Sequence, residues 1–261
     1  MALWLFMISC TSFPGKADGS FTIEMRYQGW TPNSDERAAI EEAADRWERV
    51  IVDDLVDEEL YISQEAVDDL GETPCFAVEE TIDDVVVFVS INDNQRTSFV
   101  SHVCTRRSEP PFETSTGGIW LGTPALDGGT FFNELHDSVT HEIGHVLGLR
   151  ASAWNLDIDG DGIWERNLLP DMPECGNEPI HYVGPLANSI YQDLGGTGQL
   201  PMEDQGQTGT ACEHWDAGVL DGEIMTAFGG SERAISAITV GAIEELGYGV
   251  SIDNAEPYEL P

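Results

Sequence analysis

Lysine is nearly missing from this sequence. Lys16 is the only one, and ten arginines bring Lys+Arg to 11 against 48 Asp+Glu, a formal charge of −37 over 261 residues. A surface so poor in cations cannot neutralise the phosphates of DNA or RNA, which excludes a nucleic-acid partner. The same field repels anionic lipid head groups. Long apolar runs are also absent: residues 1–9 (MALWLFMIS) fall well short of the roughly 20 residues that span a bilayer, and no later run approaches that length. No CxxC spacing occurs among the five cysteines, which argues against a cysteine zinc ribbon or a thioredoxin-type centre. What is present can fold. Hydrophobic residues make up 41% and there are seven Trp, enough to exclude a wholly disordered chain. The length suits one large domain or two close-packed subdomains.

The short apolar start has the length of the apolar region of a secretory signal. The run Met7-Ile8-Ser9-Cys10 resembles a bacterial lipoprotein cleavage box, in which Cys10 receives the lipid. Export is therefore expected, to the cell envelope or beyond, with membrane contact only through such an anchor. The other cysteines agree with export. Cys75, Cys104, Cys175 and Cys212 are even in number and allow three pairings. Pairing each with its nearer neighbour, Cys75–Cys104 and Cys175–Cys212, brackets two irregular stretches. A monomer is expected.

Residues 21–27 alternate as a strand. A strong helix starts at Ser34, with Ala39, Ile40, Ala43, Trp47, Val50 and Ile51 on one face and Asp35 and Glu36 in its first turn. Residues 85–91 (VVVFVSI) read as a buried strand. Residues 99–104 form a further short strand. Residues 117–122 (GGIWLG) form another, with 117–121 as an edge that could pair with an extended peptide. A second helix covers about 131–149 and a last one about 231–246, ended by Gly247. Residues 150–212, rich in Gly, Pro, Asn and Asp, read as mostly irregular, and such a long stretch usually carries function or an ion.

The second helix contains His141-Glu142-Ile143-Gly144-His145. Histidines four apart lie one above the other on a helix face, where both can meet one tetrahedral metal at roughly 2.0–2.1 Å. Glu142 is next round the helix from His141 and can reach a metal-bound water without being a ligand. Zinc lowers the pKa of water from 15.7 to about 7, and a nearby carboxylate can then take the proton; this suits peptide-bond hydrolysis. Val139, Ile143, Val146, Leu147 and Leu149 surround the polar residues, and two His and a Glu on a buried helix are unfavourable unless paired or metal-bound. A catalytic zinc needs a third protein ligand. His102, His136, His181 and His214 remain as candidates, with His136 turned about 140° round the helix from His141.

Gly148 extends the motif to HExxHxxG, but Ala151 stands where metzincins usually carry their third His. From Gly184 the chain reads GPLANSIYQDLGG, LPMEDQGQTGTACEHWD, GEIMTAF and ISAITVGAIEELGYGV. Together with RWERVIVDDL near the start, this series resembles the leishmanolysin-type zinc metalloproteases, their short bacterial forms in particular, over most of residues 20–255. The resemblance implies an insertion between the motif and the third ligand. It implies zinc held by His141, His145 and His214, Glu142 as general base, and Met225 as the Met-turn residue beneath the metal. The activity implied is that of a zinc-dependent endopeptidase acting on proteins or peptides. The family's long N-terminal pro-segment has no room before the first strand, so latency through a cysteine of such a segment is not expected.

The expected fold is α+β and zincin/metzincin-like. Residues 1–19 are a signal or lipobox and linker. Residues 20–150 form an N-terminal subdomain, a twisted sheet with helices including the HExxH helix. Residues 151–261 form an irregular C-terminal subdomain that carries the insertion, the third His and the Met-turn and ends in a helix. Within the insertion, Asp157, Asp159 and Asp161, with Gly162 and Glu165, match the first part of a calcium loop, but Leu168 stands where an EF-hand has its closing Glu. A looser Ca²⁺ loop and an acidic solvated turn both remain open. The rival to the enzyme reading is a non-catalytic zinc- and calcium-binding surface lipoprotein, an adhesion or binding module. Three ligands rather than four, and a Glu142 that is no ligand, favour catalysis.

Overall fold

A computed structural model describes residues 19–92, 99–122, 131–157, 166–169, 179–206, 209–227 and 233–261, with side chains of the helix at Phe131 described from Leu135 onward. Cys10, Asp159, Asp161 and Cys175 lie outside the described residues. The architecture is α+β. Its main sheet has four strands in the order β1 (Ile23–Gln28), β4 (Val85–Asn92), β6 (Thr114–Gly122), β5 (Val100–Arg106). The pairs β1–β4 and β4–β6 are parallel, and β5 closes the sheet antiparallel to β6. A strand inside a parallel set is covered on both faces, and β4 is buried without a break from Val85 to Ser90.

One face is covered by α1 (Ser34–Val50) and α3 (Phe131–Leu147), which also pack on each other. Asn33 starts α1 by accepting from the Asp35 and Glu36 amides, while Glu36 reaches back to the Asn33 N–H, a reciprocal cap. The helix buries Ala39, Ile40, Ala43, Trp47 and Val50, the face expected from its periodicity. The other face of the sheet is covered by a hairpin of β2 (Glu58–Ile62) and β3 (Val78–Ile82), joined through the short helix α2 (Gln64–Asp69). Val78 and Ile82 pack there on Val86 and Phe88. Hairpin and α2 were not foreseen. The Cys75–Cys104 disulfide, which was foreseen, ties this layer to β5.

The strand at residues 117–121 is not an edge. It lies between β4 and β5, and β5 is the edge. Its two glycines answer to packing on both faces rather than to a ligand. A Cβ on Gly117 would lie 2.4 Å from Val146 of α3, and one on Gly118 would lie 2.0 Å from the Pro74 carbonyl under the hairpin.

Beyond α3 the chain is less irregular than expected. It forms α4 (Ala151–Trp154), a two-residue ladder of β7 (Asn155–Leu156) with β8 (Arg166–Asn167), and a full helix α5 (Pro185–Asp193). Proline at the start of α5 removes an amide that would have no helical partner. The closing helix α6 (Ala237–Glu245) begins later than residue 231, because Ser236 caps it through the Thr239 amide. Trp154 and Trp215 stack at 5.5 Å, with Tyr182 edge-on to both. Cys212 is disulfide-bonded. Among the described residues no helix is long and apolar enough to cross a membrane.

The helical layer is joined to the chain's end by a buried guanidinium. Arg46 of α1, 5% exposed, donates to Asp137 of α3 at 2.9 Å, to both oxygens of Glu256, and to the Arg233 carbonyl. Removing one partner of a buried pair leaves the other charge uncompensated. Arg46→Ala is therefore expected to lower stability by about 3–5 kcal/mol in urea denaturation. Burial alone would raise the Glu256 carboxyl, but the bonds from Arg46 and the Ile235 N–H outweigh it and hold the group below its usual value. Its stabilisation is then fully present above the unfolded carboxylate value of about 4.3 and is lost as pH falls through the lower folded value. Glu256→Gln should flatten the fall of Tm below about pH 4; an unchanged acid limb would contradict this.

Candidate metal centre

Three imidazoles converge at the centre of the molecule. His141 and His145 project from one face of α3, and His214 comes in from the loop before Trp215. Their Nε2 atoms form a nearly equilateral triangle, with edges of 3.1, 3.1 and 3.0 Å. Each Nδ1 faces a backbone carbonyl: Ile224 at 2.7 Å for His141, Leu149 at 2.7 Å for His145, Thr210 at 2.9 Å for His214. A carbonyl only accepts, so each Nδ1 carries the proton and each Nε2 is left with a bare lone pair. The short Nε2 contacts are therefore not hydrogen bonds. Burial, reinforced by the neighbouring imidazoles and arginines, pushes His141 and His145 well below the usual histidine range, and burial chiefly pushes His214 down to about 4. All three rings are neutral at pH 7.

Three lone pairs held this close repel one another, and a cation among them turns repulsion into coordination. The triangle's centre lies roughly 1.8 Å from each nitrogen, close to a Zn–N bond of roughly 2.0–2.1 Å. The donor set fits a divalent metal that takes imidazole, and the proton on each Nδ1 locks the orientation such a metal needs.

The helix is shaped for this. Gly148, at φ +113°, ends α3 in the left-handed region. The Leu149 amide bonds back to the Gly144 carbonyl at 2.9 Å, and this reversal aims the Leu149 carbonyl at His145. Gly144, between the two histidines, leaves room beneath: a Cβ there would lie 2.5 Å from the Met225 sulfur. Met225 is buried, its sulfur close to Gly144, and its carbonyl accepts the Trp215 amide at 3.0 Å.

Glu142 follows His141 on α3 and is 8% exposed. Burial pushes its carboxyl up to about 7, while hydrogen bonds from Ser101 and the fields of Arg150 and Arg233 oppose the rise. Ser101 sits on β5, so the edge strand touches the carboxylate directly.

Sequence reasoning missed Ser101, and it missed Glu223. The Glu223 carboxylate is fully buried and accepts four bonds: from the Ser236 amide and hydroxyl, the Thr239 hydroxyl and the Met225 amide. Burial raises this carboxyl, and the four donors around it oppose the rise. The Trp215 indole N–H donates in turn to the Thr239 oxygen at 2.8 Å. One carboxylate thus joins the start of α6, the residue after His214 and the loop whose Ile224 carbonyl orients His141. A charged residue inside GEIMT, flanked by apolar residues, was the available signal.

The other candidates fall away from the triad. Among the described residues, the only further group with metal-ligand spacing is Asp54, Asp83 and Asp84. In it, Asp84 already accepts from the Thr22 amide and hydroxyl and from the Leu55 amide. His102, His136 and His181 do not join His141 and His145. Of the acidic loop, only Asp157 is described, so the calcium loop lies largely outside the described residues.

No curated protein matches the chain. A sequence model of the leishmanolysin peptidases matches residues 128–258, half of the chain. The matched span holds every residue of the triad together with Glu142, Glu223 and Met225. The fold, the converging imidazoles and this match agree: the chain belongs to the leishmanolysin family of metallopeptidases.

Proposed function

We propose that the protein is a zinc-dependent endopeptidase with a metzincin-type site. His141, His145 and His214 would hold the metal, with Glu142 as general base and Met225 as the Met-turn floor. The observation that carries this reading is the triangle of bare Nε2 atoms with a non-ligand carboxylate at its side. When bound, zinc supplies Lewis acidity to a carbonyl and lowers the pKa of water from 15.7 to about 7.

The chain's own residues supply the rest. Glu142 holds its carboxylate next to the triad, in surroundings that poise it near neutrality, and a cation held by the histidines draws it further toward the ionised form. It accepts a proton from the attacking water and returns it to the leaving amine nitrogen. Ser101 orients that carboxylate by hydrogen bonds. The free side of β5 offers main-chain N–H and C=O groups to an extended peptide, the β-addition mode. With a subdomain division near residue 150, this cleft would lie between the two parts. The Cys75–Cys104 bridge supports an oxidising compartment, as export through the N-terminal segment and lipidation at Cys10 would give.

Casein cleavage by the zinc-loaded protein should fall roughly 10²–10⁴-fold in Glu142→Gln, with zinc content unchanged by atomic absorption. Equal cleavage by both forms would remove Glu142 from the mechanism, and purified protein without zinc would end the reading. His214→Ala should lose most of its zinc at the same free-metal concentration. Glu223→Gln keeps the shape of the buried acceptor but turns amide hydrogens toward donors, so it should weaken zinc binding roughly 10–100-fold. Competition with a chelating dye measures this, and an unchanged constant would show that the Met225 loop needs no such anchor.

A further inference from the structure

Three of the ten arginines, Arg106, Arg150 and Arg166, lie close enough to act on one another. Arg106 ends β5 opposite Thr114, whose hydroxyl donates to the Val146 carbonyl of α3 at 2.6 Å. Paired residues point to the same side of a sheet, so Arg106 lies on the α3 side, where Ser101 also reaches Glu142. Arg150 follows Leu149, whose carbonyl orients His145, and its field acts on His145, Glu142 and His214. Arg166 stands near Arg106, its guanidinium donating to the carbonyls of Ala153, Pro111 and Leu246.

In a chain with 48 carboxylates, partners for these groups were abundant, yet little was provided. Among the described residues, half-buried Arg106 makes no ion pair, and its charged neighbours are Arg150 and Arg166. Arg150 Nε is buried without a hydrogen bond; the nearest carboxylate, Glu213, is 3.9 Å away and accepts the Ala151 amide instead. Arg166 hydrogen-bonds only neutral carbonyls, with Glu113 acting on it through its field alone. Like-charged guanidiniums gathered in half-buried surroundings are stabilised when a further carboxylate joins them, and Arg recognises a carboxylate through paired N–H donors.

We propose that Arg106 and Arg150, backed by the charge of Arg166, form a carboxylate-recognising subsite beside the metal centre. It selects peptides that carry an Asp or Glu side chain, or a free C-terminus, at that point. The inference rests on the peptidase reading of the site. Arg106 is five residues from Ser101, roughly 15 Å along a strand, so the acidic group falls several residues from the cleaved bond. The remaining surface repels acidic peptides, but beyond about 8 Å that repulsion is screened at physiological salt. The subsite is a local attraction near the cleft, and it fixes the register in which they bind.

The test uses full-length Glu142→Ala protein, which holds peptides without cutting them. Neutral octapeptides with one Glu walked through each position, with free or amidated ends, are titrated against their Gln counterparts by fluorescence anisotropy. Binding about tenfold tighter is expected for Glu at one position or for the free terminus; which arm responds tells side chain from terminus. The preference should shrink with added salt, persist in Arg106→Lys and vanish in Arg106→Gln. Equal affinity for Glu and Gln peptides throughout would overturn the proposal, as would a preference unmoved by Arg106→Gln. If Arg106→Gln does not fold, Arg150→Gln serves in its place. Failure of the peptidase reading would show separately, as absent casein cleavage by the wild type.

Discussion

Each bare Nε2 of the triad depends on a hydrogen bond at the opposite end of its ring. Neutral imidazole has one proton to place, and a carbonyl at Nδ1 decides its place. The carbonyls of Ile224, Leu149 and Thr210 therefore do more than satisfy a buried donor: they set which nitrogen is bare. Those carbonyls come from three separate backbone features. Leu149 depends on the left-handed turn at Gly148, Ile224 on the loop above Met225, and Thr210 on the turn that ends at His214. Moving any of them would turn a ring or change its tautomer, with no change in the ligands themselves.

The carbonyls are held by buried polar groups, not by apolar packing alone. Glu223 fixes the Met225 loop to the start of α6 and, through Thr239, to Trp215. Arg46 ties α1 to α3 one turn before His141 and to the end of the chain at Glu256. A hydrophobic contact tolerates sliding, whereas a carboxylate with four donors has one arrangement that satisfies them all. The apolar core supplies the bulk of stability, and these networks specify where the loops sit relative to α3.

What was legible in the sequence follows from distance along the chain. His141 and His145 were readable because a helix converts a four-residue spacing into a shared face. The α1 face and the continuous apolar β4 were readable for the same local reason. His214 lies 69 residues beyond His145, and nothing in its spacing distinguished it from His102 or His181; it was named through resemblance, and the three-dimensional fold brings it to the triad. The edge strand was misassigned: residues 117–121, with Gly117 and Gly118, lie between β4 and β5 and are not open to a peptide. Their small size instead serves Val146 on one side and Pro74 on the other. Helix α5 was hidden in a segment whose Pro and Gly content suggested irregular chain, although its proline is at the position a helix tolerates best.

The charge imbalance gains a spatial reading from this arrangement. A formal −37 spread over the surface favours solubility and discourages association, while a centre that would bind a dication needs nearby carboxylates kept under control. Glu142 and Glu223 are both buried close to the triad, and each is held by specific donors rather than left to solvent. Arg150 and Arg233 bring positive charge to the same region, and their fields favour the ionised Glu142. With so few cations in the chain, those near the cleft matter more than the many carboxylates at the periphery. Screened charges on the outer surface act weakly over distance, whereas the arginines act within the low-dielectric surroundings of the site, where each is worth more.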